Sequence, residues 1–213
     1  MTETRRTGPR RDVDVPALVV DTAETLFAEL GVAGTSMRAV ARRAGVAHRA
    51  VTYHFDSRDA LVRAVVDRRA QGVGHEVRAN LQLLLDQDGP VELEALVRAV
   101  LMPFVELLDR EPVAGLAWMK TYTHLALDED PIVVDELRVE PDLVELFLAV
   151  ARTSAPEIDE PEFLARMGLA IYSMLTSLAG ADLSGYGRPL GPDGLDRRFV
   201  ERLVRFTRNG LAD

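Results

Sequence analysis

The sequence contains no cysteine, which excludes disulfide bonds and thiolate metal sites. It also lacks a long apolar segment, because its longest run without a charged residue, 167–181, is shorter than the roughly 18 to 20 residues of a membrane-spanning helix. The N-terminal MTETRRTGPRRD has no apolar stretch after its arginines, unlike a secretory signal. These absences predict a cytoplasmic protein that does not enter a membrane.

Lysine is also nearly absent, since Lys120 is the only one among 25 basic residues. The net charge of −9 is spread unevenly along the 213 residues. Residues 1–70 hold 12 arginines against 9 acidic residues, whereas the rest of the chain holds 13 basic residues against 25 acidic ones. This asymmetry predicts a small polyanion-binding segment attached to an acidic body.

Apolar residues recur at helical spacing and no window alternates with a period of two, so the pattern predicts an all-α fold. A first helix is predicted over 16–30, with Gly31 as its stop. Ser36 is predicted to cap a second helix that ends at a left-handed Gly45, and Ser57 to cap a fourth. Five further helices are predicted over 92–110, 113–125, about 132–153, 162–181 and 195–209.

The two short helices on either side of Gly45 form a helix-turn-helix pattern. The second of them lies in VAHRAVTYHF, 46–55. Helical geometry places Ala47, Ala50, Val51 and His54 on one side of it, and His48, Arg49, Thr52 and Tyr53 on the opposite arc. An outward polar row suits a recognition helix, with Arg49 for guanine, His48 for a base edge or phosphate and Tyr53 for a phosphate. On these residues alone, an ordinary solvated helix face is an equal alternative.

The pattern extends over a wider segment, which reads GTSMRAVARRAGVAHRAVTYHFDSRDAL. This segment resembles the DNA-binding domain of the TetR family of bacterial transcriptional regulators. The likeness covers about residues 16–66, from the first helix to the start of the fourth. It implies that the third helix enters the major groove of DNA and that the start of the fourth touches phosphate. By position, it implies DNA contacts from Thr35, Ser36, Arg38, His48, Arg49, Thr52, Tyr53, His54 and Arg58.

The chain departs from the family pattern at three positions. Ala47 stands where many relatives have a serine N-cap, which removes a cap worth about 1 kcal/mol. Thr52 replaces a common phosphate-contacting tyrosine, and Ala39 replaces an acidic residue that often completes a capping box. The departures predict an uncapped recognition helix, and packing against helix one is an alternative role for His54.

Residues 1–14 are predicted to form a flexible basic arm, because TRRTGPRR resembles the arms that some DNA-binding proteins lay in a minor groove; a solvated tail is the alternative. The TetR resemblance implies a helix-turn-helix DNA-binding domain at 15–60 and a helical ligand-binding and dimerisation domain at 61–213. Aromatic and methionine side chains suit an apolar cavity, and the ligand-binding candidates are Met102, Phe104, Trp118, Met119, Tyr122 and His124. The dimer-interface candidates, on the last two helices, are Met167, Ile171, Met174, Leu178, Phe199 and Leu203. Ordinary core packing is the alternative for both sets.

Two glycines, Gly72 and Gly74, lie inside the fourth helix. Each costs up to about 1 kcal/mol relative to alanine, so the helix is predicted to be interrupted there. We hypothesise that ligand binding moves the helix about this point and lowers DNA affinity. A frayed helix boundary is the alternative.

Catalysis is not predicted. His75-Glu76 and the pair His124 and Asp128 could each supply two metal ligands, but neither has a third ligand at readable spacing. The sequence therefore predicts no metal and no cofactor. It predicts a homodimeric repressor whose partners are a palindromic double-stranded DNA operator and a small apolar effector. The alternative is a helix-turn-helix regulator without a small-molecule ligand, controlled by a protein partner or by its abundance.

Overall fold

The computed structural model describes residues 14–138 and 142–212, and this part of the chain forms ten α-helices, one 3-10 turn and a very short hairpin. The predicted all-α fold is therefore confirmed. The chain divides into two compact units, Met1–Val65 and Val66–Asp213. Apart from Asp14, the predicted basic arm lies outside the described residues. No helix in the described ranges has the length and apolar character that crossing a bilayer requires.

Helix-capping residues set most of the limits of the first unit's helices. They are α1 (Val15–Gly34), α2 (Met37–Ala44), α3 (His48–His54) and the first part of α4 (Arg58–Leu85). Gly31, with φ 75°, breaks the helical conformation inside α1, as the sequence predicts. The Ser36 hydroxyl accepts the Ala39 N–H at 3.2 Å, and the Ser57 hydroxyl accepts the Ala60 N–H at 3.0 Å. Gly45 closes α2 in the left-handed conformation, which confirms the predicted tight turn.

The core of the first unit is small and mostly aliphatic. Val19 of α1, Val40 of α2 and Val51 of α3 are completely buried, and Leu61 and Val62 of α4 complete the cluster. These side chains pack α1, α2 and α3 against one another. Tertiary packing of this kind is required, because α2 and α3, with 8 and 7 residues, are too short to be stable alone. The opposite face of α3 is thereby held outward.

The second unit contains the rest of α4 and six more helices: α5 (Leu93–Arg110), α6 (Pro112–Leu127), α7 (Pro131–Leu137), α8 (Leu143–Ser154), α9 (Glu160–Ala179) and α10 (Arg197–Ala212). The prediction of one helix over 132–153 is wrong, since the structure has two. Asp142 starts the second one: its carboxylate accepts the N–H groups of Val144 at 2.7 Å and Glu145 at 3.3 Å. A carboxylate cap of this kind marks a new helix start.

The fourth helix, α4, runs without a break through Gly72 and Gly74, so the predicted interruption is wrong. The neighbouring Val73 and Val77 are buried in the second unit. Their burial outweighs the roughly 1 kcal/mol that each glycine costs, because packing supplies most of a helix's stability. The hinge hypothesis is not tested by this continuity.

A short hairpin between α9 and α10 is absent from the sequence prediction. Strands β1 (Leu190–Gly191) and β2 (Gly194–Leu195) pair antiparallel. Two residues per strand are too few to show an alternating pattern. The Leu195 N–H donates to the Asp109 carboxylate at 2.8 Å, so the hairpin is tied to the end of α5.

Gly194 is expected to tolerate no side chain. Its φ is 102°, and an added Cβ would overlap the Asp109 carboxylate and lie 2.9 Å from the Asp109 Cα. Gly194→Ala should therefore lower the free energy of unfolding by about 2 to 4 kcal/mol. Urea unfolding followed by circular dichroism measures the change. Gly72→Ala is the matched control, because its Cβ meets nothing within 4 Å and should stabilise the protein by about 0.5 to 1 kcal/mol. Equal stability of the two variants would contradict this account.

Candidate functional site

The outward face of α3 is a row of exposed polar side chains. His48, Arg49, Thr52, Tyr53 and His54 are all exposed, whereas Val51 between them is completely buried. Tyr53 is 82% exposed, a large exposure for an aromatic ring. The row lies along two turns of α3, and the opposite side of this helix packs into the first unit through Val51.

The end of α3 differs from the helical-wheel prediction. Helical geometry predicts His54 on the inner side, but the residue is exposed, because the helix ends there and Phe55 is buried instead. The rings of Tyr53 and His54 meet edge to face with their centroids 5.0 Å apart. At the other end, Ala47 makes no side-chain capping bond, which confirms the predicted uncapped start.

Two predicted DNA-contacting residues face into the first unit. The Thr35 side chain is buried, and its hydroxyl donates to the carbonyl oxygen of Gly31 at 2.9 Å. The Arg58 guanidinium donates to the carbonyl oxygen of Val32, so it ties the start of α4 to the end of α1. By contrast, Ser36 and Arg38 are exposed at the start of α2. The unit thus brings most of the predicted set to its surface and uses the other two to hold its helices.

The second unit contains a cavity of about 140 Å³. This exceeds the roughly 10 to 15 Å³ that one water needs. Its walls come from helices α4 to α9. Most of the lining is aliphatic or aromatic, and the charged lining residues are Arg78, Glu129 and Glu136.

Three of the six predicted ligand-binding residues line this cavity: Phe104, Trp118 and Tyr122. The other three do not. Met119 is completely buried in the core, Met102 is half-buried, and His124 is exposed. Sequence reasoning missed the charged lining residues, because Arg78 and the end of α7 meet the cavity only through tertiary packing. The buried stripe of Val73 and Val77 on α4 is a sequence signal that points to this face.

An aromatic cluster forms one wall of the cavity. The rings of Trp118 and Tyr122 stack with centroids 4.8 Å apart, and Phe104 lies 6.4 Å from Tyr122. The Trp118 Nε1–H donates to the carbonyl oxygen of Val66 at 3.0 Å. Burial, assisted by the negative charge of Glu136, raises the pKa of Tyr122 to about 12. Its phenol is therefore protonated at neutral pH.

A glycine makes room for the cationic side chain of the cavity. Arg78 Nη2 donates to the carbonyl oxygen of Glu136, at a distance of 2.7 Å. A Cβ at position 74 would lie 2.8 Å from Arg78 Nη1. Gly74 therefore lets the guanidinium lie close along α4 and reach α7.

The predicted dimer residues lie mainly inside the protomer. Met174, Leu178 and Leu203 are buried, and Met167, Ile171 and Phe199 are half-buried. Other apolar side chains of the same two helices are exposed, namely Leu169 of α9 (76%) and Phe206 of α10 (68%). A period-3.6 stripe identifies the face that a helix turns to its own core, and these two residues lie off that stripe.

The described residues contain no group of three histidine or carboxylate side chains that could hold a metal ion. The pairs at 75–76 and at His124 and Asp128 therefore have no third ligand in this part of the chain.

Two family models match the chain. The one for bacterial regulatory proteins of the TetR family matches residues 19–65, and the one for the tetracyclin repressor-like C-terminal domain matches residues 98–210. The chain belongs to the TetR family. The HTH-type transcriptional repressor Rv3405c of Mycobacterium tuberculosis is 36% identical over 114 residues, which are 53% of this chain and 56% of that protein. The TetR chain thus matches this relative over about half the length of each.

Solved structures show the same fold at low sequence identity. The fatty acid degradation regulator FadR from Bacillus halodurans is similar with a TM-score of 0.64 and 12% identity, over 95% of this chain and 98% of that one. A putative TetR family regulator from Shewanella sp. PV-4 has a TM-score of 0.62 and 17% identity, over 93% and 98% of the chains. The likeness extends over both units.

Proposed function

We propose that this TetR-family protein is a homodimeric, sequence-specific DNA-binding transcriptional regulator, a repressor that a small apolar effector releases from its operator. The observation that carries the proposal is the exposed polar row of α3 on a helix-turn-helix unit. The partial match to a named transcriptional repressor supports it. The proposed activity is regulation and not catalysis, and the proposed location is the cytoplasm, where bacterial DNA lies.

In this proposal α3 enters the major groove. Arg49 binds guanine through its two-pronged guanidinium, and His48 and Tyr53 contact a base edge or phosphate. Ser36 and Arg38 contact the DNA backbone from the start of α2. Thr35 and Arg58 act indirectly, because their polar groups hold the helices that position α3.

The homodimer is proposed to form through α9 and α10. Arg166 of α9 donates to the carbonyl oxygen of Leu211 in α10 at 3.3 Å, so the turn that carries Leu169 lies beside the end of α10. Leu169 and Phe206 then offer apolar surface that the protomer leaves in water. A two-fold axis there makes the interface self-complementary.

Leu169→Glu is expected to convert the dimer into monomers at micromolar concentration, because it would bury an unpaired carboxylate at the interface. Analytical ultracentrifugation measures the mass. Val113→Glu is the control, since Val113 is an aliphatic residue of α6 that is 86% exposed. Retention of the dimer by Leu169→Glu would place the interface elsewhere.

Effector response is proposed to pass through α4. Leu61 and Val62 of this helix belong to the core of the first unit, and Val73 and Arg78 line the cavity. An effector that binds one position of α4 better than another shifts the protein between two states of different DNA affinity. Control by a protein partner or by abundance would leave the cavity without this role.

Selection from a random DNA library tests the function. Full-length protein should enrich an inverted repeat whose half-sites are about 34 Å apart, one turn of DNA. Binding should weaken steeply with salt, because phosphate contacts release counterions. Enrichment of no sequence, with no DNA binding at low salt, would overturn the proposed function.

A further inference from the structure

Among the described residues that line the cavity of the second unit, Tyr122 has a hydroxyl that makes no hydrogen bond within the protein. On the same wall, the Trp118 Nε1–H and the Tyr172 hydroxyl donate to the carbonyl oxygens of Val66 and Ala126. In the described part of the chain the Tyr122 hydroxyl has no such partner, although the residue is only 9% exposed. Because Tyr122 lines the cavity, a bound molecule with an acceptor at this hydroxyl would form a hydrogen bond that no protein group supplies.

The charges around the cavity oppose an anionic ligand. Among the described lining residues, the carboxylates of Glu129 and Glu136 outnumber the guanidinium of Arg78, which already donates to a backbone carbonyl oxygen. Glu129 is exposed within the acidic run 128–130, so the cavity reaches the surface beside negative charge. Beyond the effect of burial, Glu136 raises the pKa of Tyr122 more than Arg78 lowers it.

We infer that the cavity takes an uncharged, mostly apolar molecule with one hydrogen-bond acceptor, such as a ketone or ester carbonyl oxygen, which the Tyr122 hydroxyl binds. This inference rests on the proposed effector role of the cavity. The rings of Trp118 and Phe104, which lie beside the Tyr122 ring, supply apolar contact in the same cavity. A carboxylate of the same length is disfavoured, because its charge would be buried near Glu136.

Two probes of equal chain length test the inference: decan-2-one and decanoate, titrated into the full-length protein at pH 8 by calorimetry. The ketone should bind at least tenfold more tightly than the acid. Tyr122→Phe removes only the hydroxyl and should weaken ketone binding about tenfold, the effect of one net hydrogen bond. Its affinity for decanoate should not change.

Tyr172→Phe is the matched control, because that hydroxyl already donates within the protein and should not determine ketone selectivity. Decanoate binding as tight as the ketone, an unaffected Tyr122→Phe variant, or binding of neither probe would each overturn the inferred ligand class. DNA binding without either probe is measured in parallel. Loss of operator preference there would reject the proposed function and leave the ketone selectivity standing, so the two failures are distinguishable.

Discussion

Replacing Arg49 with alanine is expected to lower affinity for the selected operator by about tenfold to 100-fold, a cost of about 1 to 3 kcal/mol. The side chain is exposed on α3, in the row proposed to face the major groove. A two-pronged contact with guanine distinguishes this base from the other three, so its loss reduces specific binding more than binding to scrambled DNA. Fluorescence anisotropy with both DNAs across a salt series separates the two effects.

Arg43→Ala is the matched control for this substitution. Arg43 is also exposed in the first unit, but its guanidinium pairs with Glu29 at 3.4 Å. Arg43→Ala removes one positive charge, as Arg49→Ala does, so both variants weaken the general attraction to phosphate. Only Arg49→Ala should reduce the ratio of operator to scrambled affinity. If both variants changed that ratio equally, Arg49 would contribute charge alone and not base recognition.

Trp118→Ala is expected to lower the free energy of unfolding by about 3 to 5 kcal/mol. The indole is 1% exposed, stacks on Tyr122 and donates to the Val66 carbonyl oxygen of α4. Removing it leaves a hole beside an existing cavity, where the surrounding helices can collapse only in part. Urea unfolding followed by far-ultraviolet circular dichroism measures the loss without relying on tryptophan fluorescence.

Trp118→Phe separates packing from hydrogen bonding. The smaller ring keeps most of the apolar contact and loses the Nε1–H, so it should cost roughly 1 to 2 kcal/mol. A loss below about 1 kcal/mol for Trp118→Ala would mean that the α4 to α6 contact is not a stabilising part of the core.

The sequence alone predicted helix caps and turns, because these features depend on residues within one helical turn of each other. Ser36, Gly45 and Ser57 were assigned correctly, because a cap or a left-handed turn acts on the residues beside it. Thr35 and Arg58 were assigned only by position in a family pattern. Whether their polar groups face DNA or the protein depends on where α1 ends in space, which no local spacing contains.

The cavity and the surface of α9 also depend on tertiary packing, which local sequence patterns do not contain. The aromatic Trp118 and Tyr122 could be predicted, since such residues favour a cavity wall. Arg78 and Glu136 could not, because they meet only when α4 and α7 pack. On α9 the apolar stripe predicted Met174 as an interface residue, but Met174 is buried in the protomer. The exposed Leu169 lies off that stripe, so its spacing did not indicate it.

Two contacts of α5 can form only after the C-terminal part of the chain has been synthesised. Asp109 accepts the Leu195 N–H and Arg98 pairs with Glu201 at 2.5 Å, so these partners leave the ribosome 86 and 103 residues after Asp109 and Arg98. The first unit depends on contacts close in sequence and can form early and fast. Each newly made chain can therefore fold α1, α2 and α3 before the ribosome has synthesised α10, the helix proposed to join two copies.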